Sequence, residues 1–414
     1  MVPQIMPRFA WWKEASPDAR RALVAASFGW MLDAFDVMLY AMVLASVMAD
    51  LGMAKSTAGL LGSLTLVASA FGGLVFGIVA DRHGRRTAMM YSILIYSVFT
   101  AACGLSTSIL MLAVFRVLLG LGMGGEWASG AALVSETWSG EHRGKALGLV
   151  QSSWAVGYAL AAAVAAIVLP IWGWRAVFFA GVVPALFTLW IRRNVREPEI
   201  WRARRSRGTK GLAGLAEVFS RERVRLTVLV TLMNACTLFA WWGLNLWIPA
   251  YLSMTAEQGG IGLSPRLMSG LVIFMQVGMW LGYVSFGFIS DRFGRKRTYI
   301  AFLVTAAVFV VLYSRTRDPL ALLALGPFVA FFGTGYFSGF GALTAELYPT
   351  KIRATAQGFT YNTGRIVSAA APFIVGSLAQ LRGFGFSFSL ISLAFLAAAL
   401  IWIWIPETLG RELE

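Results

Sequence analysis

The sequence predicts an all-α membrane protein, with twelve transmembrane helices in two six-helix, pseudo-symmetric bundles. Three observations carry that reading. Of 414 residues, 58% are hydrophobic and only 13% charged, whereas soluble domains sit near half apolar and a quarter charged. The apolar residues fall into runs of the ~20 residues that a helix needs to cross ~30 Å of hydrocarbon. The second half of the chain also repeats charged motifs of the first at one fixed offset.

Taken in order, spans are expected near residues 22–47, 57–80, 87–107, 109–135, 144–169 and 175–193, then 224–252, 266–290, 297–315, 319–345, 354–381 and 384–405. Ser16-Pro17-Asp18 has the makings of a cap and first turn leading into the first span. Residues 1–21 are polar and basic, and read as a cytoplasmic segment without a cleavable signal peptide. The first bundle takes 22–194 and the second 224–405. Between them, 195–223 is a basic stretch containing Arg202-Ala-Arg-Arg-Ser-Arg-Gly-Thr-Lys, which suits a solvated connector facing anionic lipid. Residues 406–414 form a short cytoplasmic tail.

The net charge is +15. On a soluble protein that would suggest nucleic acid. Here the cations collect on one side: with the N-terminus inside, about 27 of the 35 Lys and Arg fall in cytoplasmic segments, the positive-inside bias. The expected setting is a lipid bilayer, with no nucleic acid. The expected location is the cell inner (plasma) membrane, multi-pass, with both termini cytoplasmic and the protein a monomer. Cys103 and Cys236 each sit in an apolar run, which disfavours a disulfide scaffold. No phosphate-binding loop, metal-ligand spacing or Ser/His/Asp arrangement occurs, so no cofactor, no metal and no enzymatic role are expected.

The repeat is specific. Gly77-x-x-x-Asp81-Arg82-x-Gly84-Arg85-Arg86 recurs as Gly287-x-x-x-Asp291-Arg292-x-Gly294-Arg295-Lys296, 210 positions later. Glu136-x6-Arg143 recurs as Glu346-x6-Arg353 at the same offset. Two pairs at one offset imply duplicated halves of the same orientation. These loops, with Arg196-Glu197-Pro198-Glu199 and Pro406-Glu407-Thr408, resemble the hallmark of the major facilitator superfamily over nearly the whole chain.

Asp33-Ala-Phe-Asp36, the run from Arg116 to Trp127, and Pro170 to Phe179 are similar to proton-coupled organic-acid symporters. Within that branch the chain looks like the bacterial sialic acid transporters and the lactate permeases. Aromatic-acid symporters share the paired Asp of the first span. The sialate carriers have extra hydrophobic segments between the halves, which this chain lacks. Fungal lactate permeases carry a His where Leu238 follows Asn234-x-x-Thr237. The resemblance implies two bundles around a midplane site, working by alternating access. It also implies that Asp81, Arg85, Glu136, Arg143, Asp291, Arg295, Glu346 and Arg353 hold the halves together on the inside. The plain alternative for these eight is ordinary topogenic charge.

Five ionisable residues stand well inside spans: Asp33, Asp36, Arg116, Glu126 and Arg365. Each costs at least ~2.5–3.5 kcal/mol at a helix centre, so each asks for a function or a partner. Asp33 and Asp36 share a face of the first span, continued by Tyr40. Two carboxylates in a low-dielectric cavity suit a proton carrier, and both histidines, His83 and His142, fall in loops. Glu126 is the second proton candidate, with Gly122, Gly124 and Gly125 allowing close helix approach. Arg116 is expected to pair with Asp33 or Asp36.

Arg365 lies about a dozen residues past Arg353, or ~17 Å, near the midplane. Its repeat equivalent is Ala155, so duplication does not account for it. Its planar guanidinium suits bidentate capture of a carboxylate, with Tyr361, Asn362 and Ser368 completing a polar patch. A structural pair with a carboxylate of the other half is the alternative. Gln151, Trp154, Tyr158, Asn234, Trp241, Trp242, Asn245, Gln276, Tyr336 and Phe340 are weaker pore candidates, each read singly as packing. Gln151, Asn245 and Tyr336 join the expected substrate site.

The expectation is proton-coupled symport of a small organic anion, a monocarboxylate such as lactate or pyruvate. Sialic acid or an aromatic acid is the alternative cargo, then a sugar. A receptor built on the same fold is the reading from another class.

Overall fold

The computed structural model describes residues 12, 14–138, 140–199, 217–349 and 352–409. Most of the basic linker lies outside them. All regular structure among them is helical. The first half holds α1 (Pro17–Asp50), α2 (Lys55–His83), α3 (Arg85–Cys103), α4 (Ile109–Thr137), α5 (Gly140–Phe179) and α6 (Val183–Asn194). The second holds α7a (Val224–Asn245), α7b (Ile248–Ser253), α8 (Pro265–Phe293), α9 (Arg295–Arg315), α10a (Pro319–Thr334), α10b (Phe340–Leu347), α11a (Arg353–Ser368), α11b (Ala371–Arg382) and α12 (Phe384–Ile401).

Among the described residues, ten segments are long and apolar enough to cross a membrane. One of them, Gly144–Asn194, has 51 residues. At 1.5 Å per residue that is about 75 Å, two crossings rather than one. It turns at Gly173, whose φ is +74°. The nineteen-residue α3 completes twelve. Phe288 and Leu110, at 76% and 75% exposure, stand on an outer surface that lipid would cover.

Short polar residues begin the helices as the sequence suggests. Ser16 accepts from the Ala19 N–H at 3.1 Å and Asp318 from the Ala321 N–H at 2.8 Å, each followed by a proline in the first turn. The repeated loops turn at Gly84 and Gly294, with φ of +113° and +96°, where a side chain would be strained.

Three spans of the second half are interrupted where continuous helices were expected. α7 breaks before Pro249, α10 passes through a 3-10 stretch at Gly335–Gly339, and α11 breaks before Pro372. Proline removes a helical N–H and clashes with the preceding turn, and glycine weakens helix, so each break has a local cause.

Arg85, Arg86, Arg192, Arg193, Arg295 and Lys296 mark one end of the molecule, the basic end. The halves meet at the opposite end. There α2 lies against α11b, with Gly59 on the carbonyl of Pro372 and Gly376 on that of Lys55. Lys55 Nζ donates to the Gln258 carbonyl at 2.6 Å, the Ser56 N–H to Gln380 at 3.2 Å and the Phe373 N–H to Ser63 at 3.1 Å. Deeper in, the Tyr158 hydroxyl donates to the Asn245 carbonyl at 3.0 Å. Among the described residues, no ion pair joins the halves at the basic end. The structure is closed at the opposite end.

Candidate functional site

Between the halves lies a partly open cavity. The first half supplies Trp30 from α1, and Gln151 and Trp154 from α5. The second supplies Leu238, Trp241 and Trp242 from α7a, Tyr283 from α8, Phe337 from the 3-10 stretch, and Tyr361 and Arg365 from α11a. Helical spacing puts Gln151 and Trp154 (i, i+3) and Tyr361 and Arg365 (i, i+4) on shared faces. Arg365 is only 5% exposed. Its guanidinium makes no ion pair among the described residues. The alternative of a fixed structural pair is therefore not seen.

The tryptophans form a continuous box. Ring centroids are 4.6 Å apart for Trp30 and Trp154, 5.5 Å for Trp154 and Trp241, and 4.7 Å for Trp241 and Trp242. Behind them Trp127 packs on Trp30 at 4.6 Å. Read singly, Trp154, Trp241 and Trp242 looked like packing. The structure corrects this, because helices from both halves bring them to one cavity. Sequence reasoning missed Trp30, Tyr283 and Phe337. Trp30 left a signal, lying one turn before Asp33 on the same helix.

Three expected substrate residues sit elsewhere. Asn362 is exposed, and its amide donates to the Gly358 carbonyl at 2.9 Å. It lies one position, or about 100°, around the helix from Tyr361 and leaves the cavity face. Asn245 lines a separate chamber of about 280 Å³ with Trp241, Met275 and Phe395, and its amide donates to the Trp241 carbonyl at 3.0 Å. Tyr336 is buried behind the wall, packed on Phe337 and Tyr299.

The acids lie inside the first half. Asp33, Asp36 and Glu126 are each 1% exposed. Asp36 faces Thr100 and Gly181, and Glu126 packs on Gly29. None lines the central cavity. Arg116 also departs from expectation: it makes no ion pair with Asp33 or Asp36, and its guanidinium stacks over Tyr40, 4.1 Å from the ring centroid. A phenol ring satisfies a buried cation in part through its quadrupole, without a carboxylate.

The repeated motifs form two matching clusters. Arg85 bonds Asp81 and, at 3.0 Å, Glu136; Arg295 bonds Asp291 at 2.6 Å and Glu346 at 3.1 Å. Arg353 donates to the Tyr348 carbonyl at 3.2 Å. The side chain of Arg143 lies outside the described residues.

The Arg85–Glu136 and Arg295–Glu346 pairs each lie within one half. Glu197 accepts from the backbone N–H groups of Arg85, Arg86 and Thr87, capping α3; Glu407 does the same for Arg295 and Lys296 of α9. Burial pushes the Glu407 carboxyl up. The backbone N–H groups of Leu409, Thr408, Arg295 and Lys296 outweigh it and hold the group below the usual glutamate range.

Comparison with known proteins fits this architecture. The family model of the Major Facilitator Superfamily matches residues 26–282 and 254–413. The chain is 35% identical over 414 residues to a probable 4-methylmuconolactone transporter of Cupriavidus pinatubonensis, covering 98% of this chain and 95% of that one. It is 31% identical over 396 residues to a sialic acid transporter of Escherichia coli, covering 95% and 96%. A crystal structure of a D-xylose-proton symporter shares the fold, with a TM-score of 0.75 at 20% identity over 96% of this chain and 100% of that one. The chain thus belongs to the major facilitator superfamily, beside relatives named as carriers of organic acids, and is a multi-pass membrane transporter rather than an enzyme.

Proposed function

We propose that the chain carries a small organic anion, a monocarboxylate, together with protons by alternating access, with Arg365 holding the carboxylate. One observation carries this: a guanidinium with no ion pair among the described residues, buried in a wall of aromatic rings. A carboxylate completes it through two parallel N–H···O bonds. Cationic cargo would meet it as a like charge. The flat walls favour a cargo with a conjugated or aromatic body, since ring–ring contacts add ~0.5–1.5 kcal/mol each beyond buried area. Lactate or pyruvate satisfies Arg365 but leaves those walls unmatched. Relatives named for 4-methylmuconolactone and sialic acid support organic cargo of this kind.

The proton rides on Asp33, Asp36 or Glu126. Protonation cancels a buried charge and lets the loaded carrier close. The halves, residues 22–194 and 224–405, rock about the cavity while 195–223 tethers them. The basic end faces the cytoplasm of the inner membrane, and the protein acts as a monomer.

The test is uptake into proteoliposomes under an inward proton gradient, with labelled benzoate, cis,cis-muconate, sialate and lactate in parallel. Protonophore-sensitive accumulation of benzoate above lactate supports the reading; muconate above benzoate would make the cargo a dicarboxylate and overturn the monocarboxylate assignment. Accumulation that ignores the protonophore, or no flux of any acid through folded protein, overturns it. Arg365→Ala abolishes uptake on this account, and Arg365→Lys restores it only in part.

A further inference from the structure

The ionisable groups of the first half form a line. Gly29, Asp33, Asp36 and Tyr40 fall at i, i+4, i+7 and i+11 of α1, one stripe of the helix. Glu126 packs its carboxyl on Gly29, where a side chain would collide with it. Arg116 covers Tyr40. Glu126, Asp33, Asp36 and Arg116 therefore stand at successive levels, over a rise of roughly 16 Å at 1.5 Å per residue.

Tyr96 of α3 belongs to the same cluster. It is fully buried, and its backbone lies against Gly122 of α4, one turn before Glu126. That hydroxyl has no hydrogen-bond partner among the described residues. Neither has any carboxyl oxygen of Asp36 or Glu126, nor Oδ2 of Asp33, nor the hydroxyls of Ser97 and Ser129. The other titratable groups at this core are Cys103 and Tyr40, with Arg116 beside both and Arg365 across the cavity. Buried polar groups are ordinarily paired. A set this dense is hydrated, or its members pair with one another as protons move. At the 210-residue offset Tyr96, Arg116 and Glu126 become Ala306, Gly326 and Tyr336, so the second half has no such line.

We propose that the Tyr96 hydroxyl joins Glu126, Asp33 and Asp36 into one proton path inside the first half, apart from the substrate cavity, with Arg116 as a positive barrier at its closed end. The proposal rests on the proton coupling proposed above. In the step, the Asp33 carboxyl gives its proton to the Tyr96 oxygen as the Tyr96 proton passes to the Glu126 carboxylate. One O–H breaks on Asp33, one forms on Glu126, and the tyrosine is unchanged. The guanidinium of Arg116 hinders a proton from crossing directly at that end, where the structure is closed.

Tyr96→Phe keeps the ring and removes the hydroxyl. Substrate-driven proton movement, followed with a pH dye on the acid that wild type accumulates, should slow roughly ten- to a hundredfold. Counterflow of the same labelled acid, which needs no net proton transfer, should hold. A wild type without proton coupling sinks the symport reading itself. A coupled wild type with an equally fast Tyr96→Phe, or with counterflow lost in parallel, overturns the path. A second arm needs no substrate. The infrared band of protonated carboxyls in reconstituted protein should shift in Tyr96→Phe and not in Tyr336→Phe, a buried tyrosine of the second half. Identical bands in Tyr96→Phe and wild type overturn the proposal.

Discussion

The two halves share their loops and differ in their interiors. At the basic end they are near copies: Arg85 with Asp81 and Glu136 mirrors Arg295 with Asp291 and Glu346, and Glu197 caps α3 as Glu407 caps α9. Inside, the first half buries three acids and Arg116, while the second presents Arg365 and aromatic rings to the cavity. Duplication gave both halves the same scaffold and loop chemistry. On the proposed reading the cores then divide the labour, with proton chemistry on one side and anion recognition on the other. The continuous α1 and α4 carry the acids, and the broken α7, α10 and α11 line the cavity.

The largest effect that could break this contrast is at Arg365. Arg365→Ala should cut uptake by roughly a hundredfold or more, because a buried bidentate charged contact has no substitute. Initial-rate uptake measures it, and a mild loss would remove anion recognition from the second half. Next is Glu126→Gln, which should end uphill accumulation while exchange of labelled acid continues. Parallel loss of both would place Glu126 in binding or folding rather than in coupling. Trp154→Ala should raise KM for benzoate about three- to tenfold, and change lactate less, if the ring faces cargo. Equal shifts for both acids would return Trp154 to packing.

The smallest effect concerns Glu407. Its carboxyl is held below the usual range, so it stabilises the fold above the unfolded glutamate pKa. That contribution fades as pH falls through the lower folded value. Glu407→Gln should lower Tm modestly at pH 7, and the gap from wild type should close in acid. A gap that persists in acid would mean that the amide disturbs something other than the cap.

The scaffold was legible because lipid enforces it: long apolar runs, one-sided cations and a fixed repeat offset leave few other architectures. Arg365 was legible for the same reason, as a buried charge with no repeat partner. The aromatic box was not, because a tryptophan in a membrane helix reads the same whether it packs or lines a pore. Only the meeting of α1, α5, α7a and α11a distinguishes the two. Arg116 was misjudged on charge alone: its neighbour is the ring of Tyr40, one turn beyond the acid expected to pair with it. Glu197 and Glu407 were noted as family ends. Their capping role depends on chain turns more than a hundred residues away.

Tryptophan fluorescence tests the central claim most directly, since four tryptophans wall the cavity. Titrating the purified protein with benzoate should give saturable quenching in wild type and in Glu126→Gln, and none in Arg365→Ala. Quenching of Arg365→Ala with an unchanged Kd would contradict the assignment of the carboxylate to Arg365.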